Sequence, residues 1–148
     1  MSVTFYICDP AMVGELEALI DLMEEEDPLD ENPDSAFERF ASRLEASHTA
    51  KLELDEAQSG PAEGFYEWFH DRVNQDLDKL YLTPAEATRT IAALDKLKAR
   101  AGVDKLITGF WNPSDEYSRE EALAYFGYAM QALTLAVQHQ GLMVICYR

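Results

Sequence analysis

The sequence predicts an α+β protein in which a small sheet, including the N- and C-terminal strands, is packed by about five helices. A run of β-favouring apolar residues stands at each end of the chain, and apolar residues recur between them at the three- and four-residue spacing of helices. The chain has 148 residues, no internal repeat and no stretch typical of a linker. We therefore expect a single globular domain over residues 1–148.

The two terminal strands are predicted to be buried on both faces. Val3–Cys8 reads VTFYIC and Leu142–Tyr147 reads LMVICY, so apolar residues occupy both alternating sets of positions. Such strands need a sheet and a covering layer on each side, and we expect them to lie side by side. Lys51–Asp55 alternates apolar and charged residues, which favours a short strand or an extended edge.

Four of the five predicted helices begin at residues whose side chains can cap the free N–H groups of a first turn. These are Asp9 followed by Pro10, Ser35 with Glu38, Thr83 followed by Pro84 and with Glu86, and Ser118 with Glu121. The remaining helix, third in chain order, follows the turn at residues 58–61. Gly102 and Gly141 are predicted to end the fourth and fifth helices, since glycine suits the position after a helix end.

The apolar spacing also predicts which helix residues face inward. In the third helix these are Phe65, Trp68, Phe69, Val73 and Leu77; in the fifth helix they are Leu123, Phe126, Met130, Leu133 and Val137.

Charge is the most unusual property of the chain. Its formal net charge is −16, from 28 acidic and 12 basic residues. Residues 1–38 hold twelve acidic residues and neither lysine nor arginine. Such a charge repels nucleic-acid phosphates and anionic membranes and attracts basic proteins. We expect a basic protein partner, no nucleic acid and no membrane.

The densest acidic stretch follows the first helix. It comprises Glu24, Glu25, Glu26, Asp27, Asp30, Glu31 and Asp34. Acidic residues at the C-terminal end of a helix are disfavoured by its dipole, so helix stability does not account for them. Two interpretations stay open: a solvated face that keeps the protein soluble, or a docking surface for a basic partner.

A second candidate binding segment is the loop GFWNPSDEY, residues 109–117. Trp111, Asp115 and Glu116 join an aromatic anchor to acidic residues, a combination suited to an interface. The alternative is that Trp111 fills the core and the rest is a turn before the last helix.

Patterns typical of catalysis or metal binding are weak, and we predict no catalytic residues, no metal and no cofactor. Glu45/His48 and Glu67/His70 have the Glu-x-x-His spacing of di-iron sites, but Glu67 is predicted to face water. Cys8 and Cys146 lie in apolar strands, where a thiol is usually inert. The N-terminus lacks the features of a signal peptide, and no stretch is apolar enough to span a bilayer, so a cytoplasmic location is expected.

The order of the MSVTFYI strand, the LELDEA segment, the YLTPAEATRTIAALDKL helix and the final helix ending in GLMVICY resembles the YfbM-like family of small bacterial α+β proteins. In that family a Trp/His-containing helix directly follows LDEA, whereas this chain has QSGPAEG. The resemblance implies a candidate role in bacterial toxin-immunity sets.

These observations predict a non-enzymatic acidic binding protein, and specifically an immunity protein that neutralises a basic bacterial toxin. Two alternatives remain: an enzyme with an acidic, metal-assisted cleft, and a nucleic-acid mimic that presents carboxylates at phosphate-like spacing. The sequence does not indicate an oligomeric state.

Overall fold

The N- and C-terminal strands lie side by side at the centre of an antiparallel sheet, as predicted. The computed structural model describes residues 2–26, 35–72 and 81–148, with the side chains of residues 70–72 excepted. Within these ranges the strands are β1 (Val3–Cys8), β2 (Ala50–Leu54), β3 (Tyr81–Leu82) and β4 (Leu142–Tyr147). Their order is β2-β1-β4-β3. The alternating segment around residue 51 is the edge strand β2.

Helices cover both faces of this sheet. They are α1 (Val13–Glu25), which follows a 3-10 turn at Pro10–Met12, α2 (Ala36–Ser47), α3 (Ala62–Arg72), α4 (Pro84–Ile107) and α5 (Arg119–His139). The α+β prediction with about five helices is thus confirmed in the described residues. None of these helices is both long and apolar enough to cross a bilayer.

The sheet separates two apolar cores. Val3, Phe5 and Ile7 of β1 point towards α3, α4 and α5, whereas Tyr6 and Cys8 point towards α1 and α2. β4 alternates in the same way, because side chains alternate across a strand. Both terminal strands are therefore buried on both faces, as their composition predicts, and each fully buried large side chain contributes about 1.5–3 kcal/mol.

The predicted helix starts are found with two changes. The Asp9 side chain caps the 3-10 turn at Pro10–Met12, and α1 itself begins without a side-chain cap. The second change concerns the start of α2. The Ser35 hydroxyl accepts the N–H of Glu38 at 3.2 Å, but the Glu38 carboxylate lies 3.7 Å from Arg148. The Glu26 carboxylate accepts the Ala36 N–H instead, at 2.8 Å. A residue from the end of α1 thus caps α2, a contact that local spacing does not reveal.

Gly102 interrupts the helical backbone within α4, as predicted, and two helical segments meet there at a kink. The residue has φ 78° and ψ 161° inside the span Pro84–Ile107, a conformation open essentially only to glycine. Helical structure resumes and continues to Ile107. At the end of α5 the left-handed residue is Gln140, with φ 49°, and Gly141 follows it directly after the helix end, as predicted.

The inward face of α5 is rotated from the predicted one. Leu123 and Val137 are 38% and 36% exposed, so these two expectations were wrong, while Phe126 and Leu133 are buried as predicted. The buried face includes the alanines Ala122, Ala129, Ala132 and Ala136. Small residues bring the α5 backbone close to its neighbours, and hydrophobicity alone did not identify them. Val73 and Leu77, predicted inward in the third helix, lie outside the described residues.

Candidate functional site

The end of α1 presents acidic side chains to solvent. Asp21, Glu24 and Glu25 are exposed, and in the described ranges no ion pair or hydrogen bond of their side chains is found. Glu26 is exposed, but its carboxylate accepts the Ala36 N–H at the start of α2. The remaining acids predicted for this surface, Asp27, Asp30, Glu31 and Asp34, lie outside the described residues.

Other acidic residues of the first 38 are engaged with partners elsewhere in the fold. Glu15 accepts from the Arg43 guanidinium at 2.7 Å, and Glu17 accepts from the Tyr81 hydroxyl. Arg148 reaches Glu38. The arginines therefore neutralise only part of the acidic segment, and the negative charge concentrates at the end of α1.

A groove of about 390 Å³ opens on the opposite side of the sheet, between α3 and the segment that follows α4. We call it the tryptophan groove, because it is lined by both tryptophans of the chain. The lining residues that matter below are Gly64, Glu67, Trp68, Gly109, Trp111 and Asp115. Trp111 and Asp115 were predicted from the sequence, whereas Trp68 was assigned to the core and Glu67 to solvent.

The Trp68 indole is held in place by aromatic neighbours and by a glycine. Its ring centroid lies 5.8 Å from that of Phe65 and 5.4 Å from that of Phe110. A Cβ added to Gly109 would lie 2.1 Å from Trp68 Nε1. Only a residue without a side chain leaves space for the indole here, so Gly109 positions one wall of the groove.

Trp111 fills the core only in part. Its side chain is half-buried and packs against the core, and it also lines the groove. Its indole N–H donates to the Tyr117 carbonyl at 3.1 Å, which fixes the ring. The indole is therefore a rigid, partly exposed surface.

Asp115 stands at the rim of the groove and stabilises the loop. Its carboxylate accepts the Asn112 N–H at 2.8 Å. Burial raises the pKa of the neighbouring Tyr117 phenol, with a further contribution from the negative Asp115. Glu116, also predicted as a binding residue, is exposed but is not part of the described lining.

The predicted binding residues fall into two layers of the fold. The acidic end of α1 belongs to the layer that packs on Tyr6 and Cys8, whereas Trp111 packs with the core on the other face. The structure brings Trp111 and Asp115 together with Trp68 and Glu67. It does not bring them together with Glu24 and Glu25.

A larger groove, of about 630 Å³, lies between α2 and the strands β1 and β2, and sequence reasoning missed it. On its lining, Glu45 accepts from the Tyr6 hydroxyl at 2.8 Å and from Lys51 at 2.9 Å, while Lys51 also reaches Glu53 at 2.8 Å. Burial, and then the bond to Glu45, raise the pKa of Tyr6 to about 12. Lysine and tyrosine thus satisfy Glu45 and Glu53 on this lining. The alternating KLE pattern of β2 was the only sequence signal.

The side chains that resembled a metal site have other contacts. Glu45 binds Tyr6 and Lys51, and the His48 ring packs edge-on against Tyr6 with centroids 5.5 Å apart. Glu67 is exposed, as predicted, and the His70 side chain lies outside the described part. No group of three potential metal ligands occurs among the described residues.

Both cysteines are buried free thiols in the core beneath α1 and α2. Burial raises the pKa of Cys8 to about 11 and also raises the pKa of Cys146. Because the thiolate is the reactive form, burial disfavours reaction of both thiols at neutral pH.

Comparison with protein-family models, with curated protein sequences and with solved structures finds no match for this chain. The YfbM-like resemblance therefore stays a prediction. The function must be inferred from the geometry and charge of the molecule itself.

Proposed function

We propose that this protein is a non-enzymatic binding protein whose acidic surface docks a basic protein partner. The specific form of this proposal is an immunity-type role, in which the surface masks a basic toxin domain. The observation that carries it is the exposed end of α1, where Asp21, Glu24 and Glu25 have no neutralising partner among the described residues.

The distribution of neutralised and free acids supports docking. Arg43 and Arg148 engage Glu15 and Glu38, so cations are within reach of the acidic segment but leave the end of α1 free. A surface optimised only for solubility normally intersperses both signs of charge. An uncompensated field of one sign raises the association rate with a partner of opposite sign.

The same distribution does not favour a nucleic-acid mimic. Mimicry needs carboxylates spaced regularly along a face, as phosphates are along a strand. In α1, however, Glu15 binds Arg43 and Glu17 binds Tyr81. The free acids are therefore grouped at one end of the helix, an arrangement that suits a local contact with a basic patch.

The test uses the double variant Glu24→Gln/Glu25→Gln. The wild-type protein is immobilised and exposed to proteins of its source cell, a captured basic protein is identified and purified, and its binding kinetics are measured at low and physiological salt. We expect the association rate to fall with salt and to fall several-fold in the variant, while the dissociation rate changes little.

The matched control is Asp95→Asn/Glu120→Gln. It removes the same charge from exposed positions on α4 and α5, on the other side of the sheet. Equal loss of association in both double variants would indicate a net-charge effect and reject the α1 surface. A captured partner that binds independently of salt would reject electrostatic docking altogether.

A further inference from the structure

We propose that the tryptophan groove binds an arginine side chain presented by the protein partner. This inference rests on the proposed function and deepens it by naming the anchor residue that the partner supplies. The groove lies on the α3–α5 side of the sheet, so it is a second contact region, separate from the end of α1.

The groove has the size of a small-ligand site, and its two indoles are held in place. Its volume of about 390 Å³ falls in the range of roughly 300–1,000 Å³ typical of small-ligand sites. Trp68 is braced by Phe65 and Phe110, and the Trp111 N–H is fixed on the Tyr117 carbonyl. Rigid indoles lose little conformational entropy when a ligand packs on them, which favours binding.

The charge of the groove selects a cation. Glu67 and Asp115 contribute carboxylates to the lining, and no lysine or arginine is among its described lining residues. Arg119, at the start of α5, is held by the Asp104 carboxylate. Two carboxylates and two indoles therefore line the same groove, and the charge that complements this lining is positive.

Arginine fits this combination better than lysine. A planar guanidinium stacks on an indole face while its N–H groups donate to carboxylates at the edge. An ammonium is more strongly hydrated and has no plane to stack. The groove thus offers indoles on which a planar guanidinium can stack and carboxylates to which its N–H groups can donate.

The first experiment titrates the full-length protein with N-acetyl-arginine methylamide and follows the two indole N–H signals by NMR, assigned with Trp68→Phe and Trp111→Phe. We expect both signals to shift, with a dissociation constant on the order of 10 mM for one such contact. The citrulline analogue has the same shape without the charge and should produce little shift. Unmoved indole signals, or equal shifts with citrulline, would overturn the inference.

Matched variants locate the site. Asp115→Asn retains an acceptor for the Asn112 N–H, so the loop is preserved, and should weaken arginine binding about threefold. Glu116→Gln removes the same charge one residue away, outside the lining, and should leave binding unchanged. An equal effect of both substitutions would reject the groove as the site.

The outcome for the groove is independent of the outcome for α1. Glu24→Gln/Glu25→Gln should bind the arginine probe like the wild type. If arginine does not shift the indole N–H signals while partner capture still depends on the α1 charges, the groove inference alone is wrong. If the indole shifts occur but no salt-dependent partner exists, the proposed docking function is wrong and the arginine pocket stands by itself.

Discussion

Replacing Gly109 by alanine should disrupt the tryptophan groove and destabilise the protein. The added Cβ would lie 2.1 Å from Trp68 Nε1 and 2.6 Å from Cδ1. An ordinary carbon contact needs about 3.5 Å, so the indole must move by more than an ångström. That movement breaks its packing on Phe65 and Phe110. Overpacking of this kind costs about 1–3 kcal/mol, and we expect about 2 kcal/mol here.

Thermal unfolding and tryptophan fluorescence measure this effect. At this chain length, 2 kcal/mol lowers Tm by roughly 4–8 °C, and a displaced Trp68 should shift the emission to longer wavelength. Gly127→Ala is the matched control, since that glycine lies in α5 with nothing within 4 Å of an added Cβ. It should stabilise the protein by about 0.8–1 kcal/mol. A Gly109→Ala protein with unchanged Tm and emission would refute the role assigned to Gly109.

Three further predictions concern the stability of the fold that positions the two surfaces. Gly102→Ala should destabilise the protein by about 1–3 kcal/mol in urea unfolding, because φ 78° with ψ 161° is strained for any residue with a Cβ; a neutral result would contradict the assigned backbone conformation. Thr83→Ala removes the hydroxyl that caps α4 and should cost about 1 kcal/mol, whereas Thr83→Ser should restore most of this stability. The pKa of Tyr6 is raised from 10.0 to about 12, so folding favours the neutral phenol. Its contribution to stability is complete below pH 10 and is lost as pH rises towards 12; Tyr6→Phe should flatten the alkaline decline of unfolding free energy, and an unchanged slope would show that Tyr6 does not contribute to it.

Local signals predicted the elements with the correct type and near-correct bounds, except the two-residue strand β3 (Tyr81–Leu82), which was not predicted. The N-cap residues Thr83 and Ser118 cap the helices that follow them, and Asp9 caps the 3-10 turn before α1, because capping depends on a few neighbouring residues. The apolar runs at both ends gave the central strands for a similar reason: a strand buried on both faces must be apolar at every position.

Inward faces were less predictable where alanine was involved. Leu123 and Val137 lie outside the core, while Ala129 and Ala136 are buried. Alanine is compatible with core or surface, and only the distance between packed helices decides between them. The contact of Glu26 with the start of α2 was also unpredictable from local sequence. The Glu26 carboxylate accepts the Ala36 N–H, and this contact depends on where α1 ends relative to α2.

The sequence by itself determined the acidic segment, the identity of the terminal strands and the positions of the helix starts, because each is a property of neighbouring residues. Only the tertiary structure decided that Trp68, some forty residues before Trp111, forms the other wall of its groove. It also decided which acids of α1 meet an arginine and which remain free. These outcomes depend on contacts between segments distant in the chain, and such contacts are set by how the layers pack and leave no periodic pattern in the sequence.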